Sequence, residues 1–289
     1  MSEQAAGAHA PGPAETLQPI PGPSPLGGGL KRFFDLLWVI ALADFKKSYF
    51  GTVLGYVWSL ARPLALFAIL LVVFTQVFRL GSDVPFYPVL LLMNIVLFGF
   101  IQESTTAAVT SLVIQEPVVR KTQFPRLVVP LATVLTGLMN MLVNFVVVIV
   151  FALAFGVDVT SAWLLIPVVI VGLVAVAAPL AMLLSALYPK FRDLSIIWSV
   201  VVTALFYATP VLYPIGVVPE GLRSIIMLSP LSVIFVEARK WIIDPAAMGA
   251  AEAAGGYLRL LPALAVFILL FVGAFVVFWR EAPGVAEEL

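Results

Sequence analysis

The chain has 289 residues, of which 62% are hydrophobic and only 11% are charged. Soluble domains carry about a quarter charged residues, so this composition excludes an ordinary globular protein and indicates a membrane protein. Sixteen basic residues balance sixteen acidic ones, which gives no indication of a nucleic-acid partner. The sequence has no cysteine and one histidine, His9, so thiol and histidine chemistry are not expected.

Residues 1–30 contain six prolines and six glycines. This composition cannot bury enough apolar surface to offset the entropy lost on ordering, which predicts a disordered cytoplasmic tail. The first basic residue is Lys31, so a secretory signal peptide is not expected. We divide the chain into this tail, a membrane domain over 31–280 and a short cytoplasmic tail over 281–289.

The segment 31–50 predicts an amphipathic helix that precedes the first span. At about 100° per residue, one arc of this helix holds its charged residues, with Asp44 as the exception. The residues in the arc are Lys31, Arg32, Asp35, Lys46 and Lys47. Such a helix lies in the inner membrane interface with its basic edge towards anionic headgroups. The alternative is a simple flank that stops translocation.

Six apolar segments are long enough to cross a bilayer, which takes about 20 residues. They cover residues 64–80, 89–114, 127–155, 162–187, 194–212 and 260–279. No water satisfies backbone groups in the hydrocarbon region, so these segments are expected to be helices. Eleven basic residues flank the spans on one side and five on the other, which predicts that both termini are cytoplasmic.

An outer segment separates the fifth and sixth spans. Residues 219–228 and 230–243 predict two short helices that are broken at Ser229-Pro230. In the second helix Leu231 and Phe235 share an apolar face, and Arg239 lies on the polar one. Each helix is too short to span the bilayer, which predicts a re-entrant hairpin in the outer leaflet.

The turn between spans two and three predicts a short cytoplasmic helix. Glu116-Pro117 suits a helix start, and Phe124-Pro125 suits its end. A short helix with basic residues and an aromatic anchor can bind in a groove of a cytoplasmic partner, although an ordinary basic loop is an equal alternative. Its candidate residues are Glu116, Arg120, Lys121, Phe124, Pro125 and Arg126.

Glu103 interrupts the middle of the second span. An ionisable group there costs at least about 2.5–3.5 kcal/mol, so it is expected to face a protein or water-filled interior. Its role is either that of a proton-relay acid or that of a polar patch at a subunit interface. Apart from Arg79, next to the outer end of the first span, the spans as bounded above contain no second charge to form a relay, which favours the polar patch.

The motif inventory argues against an enzyme. The sequence contains no G-x-x-x-x-G-K-[ST] phosphate loop and no H-E-x-x-H zinc motif. No cofactor is therefore expected in this chain. A transporter powered by another subunit fits this inventory.

The order of these segments resembles the membrane permease of bacterial ABC exporters for polysaccharides, the O-antigen and teichoic-acid class. The family's pattern before the first span matches Asp44, Lys46, Tyr49, Leu54, Gly55 and Trp58, followed by Pro63. Its coupling turn matches Ser111-Leu112-Val113, Lys121, Phe124-Pro125-Arg126 and Pro130-Leu131. Later matches are Arg192-Asp193, Thr209-Pro210-Val211-Leu212-Tyr213, Pro219, Ser229-Pro230-Leu231 and Arg239.

Two positions depart from the family pattern. Leu97 precedes Phe98 where the family often has tryptophan, and Ser229 stands where it often has asparagine. The resemblance implies an all-α membrane protein of the bacterial inner membrane, which forms a homodimer with two copies of a cytoplasmic ABC ATPase. ATP and its magnesium ion would then bind to that ATPase. The implied substrate is a polymer on a polyprenyl-pyrophosphate lipid, which cannot cross the bilayer unaided.

We assign roles to residues as a hypothesis. Cations and a tyrosine at the inner interface attract the pyrophosphate: Lys46, Lys47, Tyr49 and Arg62. Polar and aromatic residues line the conduit: Phe100, Glu103, Trp198, Phe206 and Tyr207. The coupling turn transmits ATPase closure, and the outer hairpin gates the exit through Pro219, Leu231, Phe235 and Arg239.

Three other functions stay open on the sequence. An ABC permease for a small lipophilic drug or a lipid would need less of a basic interfacial helix. An ion-coupled secondary transporter would have inverted repeats and paired charges inside the membrane. A membrane glycosyltransferase would need acidic residues grouped on a loop, whereas Asp83, Asp158 and Glu220 are isolated.

Overall fold

A computed structural model of the chain describes residues 29–49, 55, 57–77, 84–115 and 125–281. Within these ranges every regular element is helical, with ten α-helices and no β-strand. The predicted all-α membrane architecture is confirmed. The predicted N-terminal tail lies outside the described residues, except for its last two.

Among the described residues, five helices are long and apolar enough to cross a membrane. They are α2 (Val57–Val72, extended by a π-helical turn at Val73–Val77), α3 (Tyr87–Ile114), α4 (Val128–Ala154), α5 (Ile166–Leu187, after a 3₁₀ turn at Ser161–Leu165) and α10 (Leu261–Glu281, after a 3₁₀ turn at Tyr257–Leu260). A sixth apolar helix, α6 (Leu194–Ala208), has only 15 residues. Each predicted span therefore coincides with a helix.

The first and fifth spans differ from the predicted bounds. Helix α2 begins at Val57 and contains Arg62 and Pro63, whereas the predicted span began after them. Helix α6 ends at Ala208, since Thr209 precedes a proline and takes an extended conformation with φ −81° and ψ 145°. Residues 78–80 of the predicted first span lie outside the described residues.

Helix α3 is the central element of the subunit. It packs against α2, α4, α5 and α6, and 78% of its most apolar stretch is buried. Helix α4 approaches it closely at Gly137, where a Cβ atom would overlap Ser104 Oγ. Small residues allow such close approach between membrane helices, so Gly137 sets the α3–α4 spacing.

The N-terminal helix α1, Leu30–Tyr49, packs along α4. Its Phe33 is buried with Val128 and Phe278, and Thr136 Oγ1 donates a hydrogen bond of 3.2 Å to Ala41 O. Lys46 and Lys47 are exposed at its end. The predicted helix with an exposed basic edge is present, and its place in the membrane interface stays a prediction.

Residues 209–213, here called the strap, continue the chain from α6 towards the outer segment. The Tyr87 hydroxyl donates to Leu212 O at 2.8 Å. Asn94 Nδ2 donates to Pro210 O at 3.1 Å and to Val211 O at 3.0 Å. Buried carbonyls outside a helix need such partners, so the strap is held by side chains of α3.

The outer segment contains α7 (Glu220–Ile226) and α8 (Pro230–Ile242), which are bent by 110° relative to each other. Both helices are present where the sequence predicted them. A short helix that was not predicted, α9 (Ala250–Ala254), follows and packs against α7 and α8. Gly255 then ends α9 with φ +82°, a conformation that favours glycine.

Candidate functional site

A charged cluster joins three membrane helices. Asn140 Nδ2 of α4 donates a hydrogen bond to Glu103 Oε1 of α3. Arg62 of α2 lies close enough for its positive charge to stabilise the Glu103 carboxylate. The side chains of Arg62 and Glu103 are both exposed at the surface of the single subunit.

This cluster corrects the inference that Glu103 has no charged companion. Arg62 was expected to precede the first span, because a hydropathy window excludes a charged residue and the proline beside it. In the structure α2 begins earlier and carries Arg62 along its second turn. Sequence reasoning also missed Asn140, which is buried and has no distinctive motif around it.

The exposed part of α3 near Glu103 is polar. Gln102 and Thr106 are exposed with Glu103, whereas Ser104 and Thr105 between them are buried. Polar residues within membrane helices are expected to face a protein interior or a water-filled cavity. This side of α3 is therefore a poor surface for lipid.

Helix α6 packs against α3 through two aromatic residues. Trp198 is 7% exposed and its Nε1 donates a hydrogen bond of 3.0 Å to Thr105 Oγ1. The Phe206 ring meets Phe98 edge to face, with the centroids 5.2 Å apart. Since residue numbers rise along α6 as they fall along α3, the two helices run antiparallel.

Three hydroxyl side chains line the exposed side of α6: Ser199, Thr203 and Tyr207. They recur every four residues, so they lie within about 80° of one another around the helix. Ser199 Oγ and Thr203 Oγ1 donate hydrogen bonds to carbonyls of the preceding turn at 2.7 and 2.8 Å. Sequence reasoning named Tyr207 and missed the other two, although the four-residue spacing was visible.

The polar sides of α3 and α6 face the same flank of the subunit. Around the axis of α3, Gln102 and Thr106 lie about 50–90° further on than Phe98 and Thr105, the residues that face α6. Around the axis of α6, Ser199 and Thr203 lie about 60–100° further on than Trp198 and Phe206, the residues that face α3. Because the two helices are antiparallel, these rotations place the polar side chains of both helices on the same side of the subunit. We call these five residues the polar flank: Gln102, Thr106, Ser199, Thr203 and Tyr207.

The predicted conduit residues divide into two groups. Phe100 is 1% exposed and Trp198 is 7% exposed, so both side chains pack inside the subunit. Phe206 is half-buried against Phe98, and Tyr207 is 62% exposed. Of the four aromatic residues, Tyr207 presents the most open ring.

The predicted entry residues lie on two helices. Lys46 and Lys47 are exposed on α1, and Arg62 is exposed on α2. Tyr49 is the last residue of α1, and the structure describes its backbone but not its side chain. Asp44 lies about one turn before Tyr49 in α1. Burial raises the pKa of its carboxyl, and the positive charge of Lys47 opposes that shift.

Most of the predicted coupling turn lies outside the described residues, including Glu116, Arg120, Lys121 and Phe124. Pro125 is buried at the start of α4, and its carbonyl accepts the Val128 N–H at 2.9 Å. Arg126 is half-buried. The described end of the turn is therefore anchored to the helix that packs most closely on α3.

The predicted outer-gate residues have different environments. Pro219 is exposed and caps the start of α7. Leu231 and Phe235 are buried in the core. Arg239 on α8 forms an ion pair with Asp244 at 3.7 Å.

The sequence was compared with those of known proteins. The family model described as ABC-2 type transporter matches residues 35–242. The O-antigen export system permease protein RfbA of Klebsiella pneumoniae is 32% identical over 216 residues, which is 74% of this chain and 83% of the relative. RfbA of Myxococcus xanthus is 28% identical over 204 residues, which is 70% of this chain and 78% of the relative.

Proposed function

The chain belongs to the ABC-2 type transporter family, and from this premise we propose that it exports an O-antigen-like polysaccharide carried on a polyprenyl-pyrophosphate lipid. As a permease of this family it is a transport subunit, and a separate ABC ATPase hydrolyses ATP. The observation that carries the choice of cargo is the 32% identity to an O-antigen export permease along most of both chains.

The polar flank and the charged cluster support a homodimer with a conduit. Glu103 and the polar flank are exposed on a single subunit inside its membrane helices. Lipid disfavours such a surface, whereas a second copy and a hydrated path between the copies would accept it. The assembly we propose is two permease subunits with two ATPase subunits in the bacterial inner membrane, with both termini of the permease in the cytoplasm.

The pyrophosphate would enter at the cytoplasmic side. Lys46 and Lys47 end α1 with exposed ammonium groups, and Arg62 offers a guanidinium one helix further along. Cations of this kind bind phosphate oxygens through charge-assisted hydrogen bonds. Tyr49 lies next to the two lysines in the chain and completes the proposed entry.

The polymer would then pass along the polar flank. Ser199, Thr203 and Gln102 offer hydrogen-bonding groups to sugar hydroxyls, and Tyr207 offers an open ring for stacking. Phe206 contributes a partly open ring beside it, and Glu103 bounds the path at the charged cluster. Phe100 and Trp198 support this wall from behind, because both are buried in its packing.

The coupling turn and the outer hairpin would link ATP hydrolysis to export. Phe124, with its neighbours Glu116, Arg120, Lys121, Pro125 and Arg126, would contact the ATPase. Helices α7 and α8 would gate the exit, since they form the bent outer pair and Phe235 of α8 packs on Phe98 of α3. Pro219 and Arg239 lie at the start and near the end of that pair.

A reconstituted complex tests the proposal. The permease is co-purified with its ATPase and placed in proteoliposomes that contain a polyprenyl-pyrophosphate-linked glycan. We expect glycan to stimulate ATP hydrolysis and to appear on the opposite side of the bilayer. Purification without an ATPase, together with transport that follows an ion gradient, would replace the proposal with a secondary transporter.

Two sets of variants test the residue roles in this assay. Lys46→Glu with Lys47→Glu should weaken the stimulation by glycan lipid, while Lys31→Glu with Arg32→Glu, on the same helix, should leave most of it. Phe124→Ala should allow ATP hydrolysis but stop export, and Phe191→Ala in the turn after α5 is its control. Normal export by the Phe124 variant would exclude the coupling role.

A further inference from the structure

A small cavity lies where α3, the strap and α8 meet. Its lining includes Asn94 of α3, Tyr213 of the strap, Phe235 and Arg239 of α8, and Met248. The space available to the centre of a water molecule is about 10 Å³. One water needs about 10–15 Å³ on this measure, so the cavity fits a single small molecule and nothing larger.

Asn94, which lines the cavity, has an acceptor atom without a partner in the described part of the chain. Its Nδ2 donates to two strap carbonyls, at 3.1 and 3.0 Å, which fixes the orientation of the amide. A flipped amide would place Oδ1 against two other acceptors. Asn94 is 1% exposed, and its Oδ1 is buried without a hydrogen-bond partner in the described protein.

Arg239, which lines the same cavity, has a donor atom without a partner in the described structure. Its guanidinium forms an ion pair with Asp244 through one terminal nitrogen, at 3.7 Å. Its Nε is buried and has no hydrogen-bond partner among the described residues. Burying an unpaired donor or an unpaired acceptor costs free energy, so the two together favour a bridging molecule.

Charge and size select the bridging molecule. Arg239 repels a cation, and Asp244 already balances its charge, which removes the need for an anion. A phosphate or a sugar is too large for the cavity. We propose that the cavity is a binding site for one ordered water molecule, which accepts a hydrogen bond from Arg239 Nε and donates one to Asn94 Oδ1.

This water connects the outer hairpin to the central helix. Asn94 already holds the strap, and Arg239 lies near the end of α8. The water therefore completes a polar link from α3 to α8 between two otherwise apolar surfaces.

Radiolytic hydroxyl-radical labelling of the full chain in lipid tests the water site, because X-rays generate radicals from bound water inside a protein. Phe235 lines the cavity, and Phe98 does not; both are 1% exposed and their centroids are 6.4 Å apart. We expect Phe235 to be labelled several-fold more than Phe98. Equal labelling of the two rings would show a dry cavity and overturn the proposal.

A substitution sharpens the test. Arg239→Lys keeps a cation for Asp244 but removes the Nε donor, and it should lower the labelling of Phe235 towards that of Phe98. Phe100, which is 1% exposed and does not line the cavity, serves as a folding control and should stay as weakly labelled as in the native chain. Unchanged labelling of Phe235 in this variant would contradict the proposed donor. If the variant does not fold, the comparison of the two rings in the native chain decides the question.

Discussion

Helices α3 and α2 both pass as membrane spans, yet they have opposite roles in the subunit. The most apolar stretch of α3 is 78% buried, and that of α2 is 6% buried. The buried helix is the less apolar of the two. In lipid the hydrophobic effect does not drive helices together, so packing and polar contacts decide which helix is central.

The two helices also differ in what they contact. Helix α3 holds the strap through Tyr87 and Asn94 and holds α6 through Thr105. Helix α2 presents Arg62 at the surface. The moving parts of the proposed exporter are therefore expected on α2 and α6, with α3 as a rigid support that also carries part of the polar flank.

The largest expected effect comes from truncating the core of α3. Phe98 packs against Phe206 and Phe235, and Phe98→Ala should lower the free energy of unfolding by about 3–5 kcal/mol through the cavity it leaves. Phe271→Ala on α10, where the ring is 52% exposed, should cost much less. Thermal unfolding in detergent measures both. Equal losses would mean that α3 is not the central support.

The second effect concerns the charges that join α2 to α3. Arg62→Gln leaves Glu103 without a nearby cation and should destabilise the subunit by up to about 2.5–3.5 kcal/mol, the cost of a charge inside the bilayer. Adding Glu103→Gln should restore most of that loss, because it removes the unpaired carboxylate. A double variant as unstable as the single one would show that the two charges do not interact.

The third effect concerns the close contact of α3 with α4. A Cβ at Gly137 would overlap Ser104 Oγ, so Gly137→Ala should cost about 1–3 kcal/mol by overpacking. At Gly99, on α3 itself, a Cβ would have no atom within 4 Å, and Gly99→Ala should be neutral or slightly stabilising. Unfolding midpoints of the two variants give the comparison, and similar values would exclude the tight contact.

The smallest effect lies at the edge of the subunit, on α1. Burial raises the pKa of Asp44 above its usual value of 3.8, so folding disfavours its charged form. Stability is therefore lost as the pH rises from 3.8 through the raised value. Asp44→Asn should raise the unfolding midpoint slightly at pH 7 and not at pH 3.5. Asp35→Asn, on the same helix and exposed, is the control, and an equal gain there would contradict the role of burial.

The sequence predicted the helices well because their signals are local. Apolar runs and prolines located every span, including the break at Ser229-Pro230 between α7 and α8. It failed at Arg62, because a hydropathy window cannot tell whether a helix continues through a charge and a proline. Trp198 and Phe100 were also predicted to line the conduit. An aromatic residue in an apolar helix gives the same sequence pattern whether it faces a conduit or a neighbouring helix.

The sequence alone determined that the chain is a helical membrane protein, and its motif order indicated the transporter family. Both follow from composition and spacing, which are properties of neighbouring residues. Only the tertiary structure decided that Glu103 accepts a hydrogen bond from Asn140 within range of the charge of Arg62, and that Asn94 and Arg239 line one cavity. These contacts depend on how helices rotate and cross, which packing between distant segments sets.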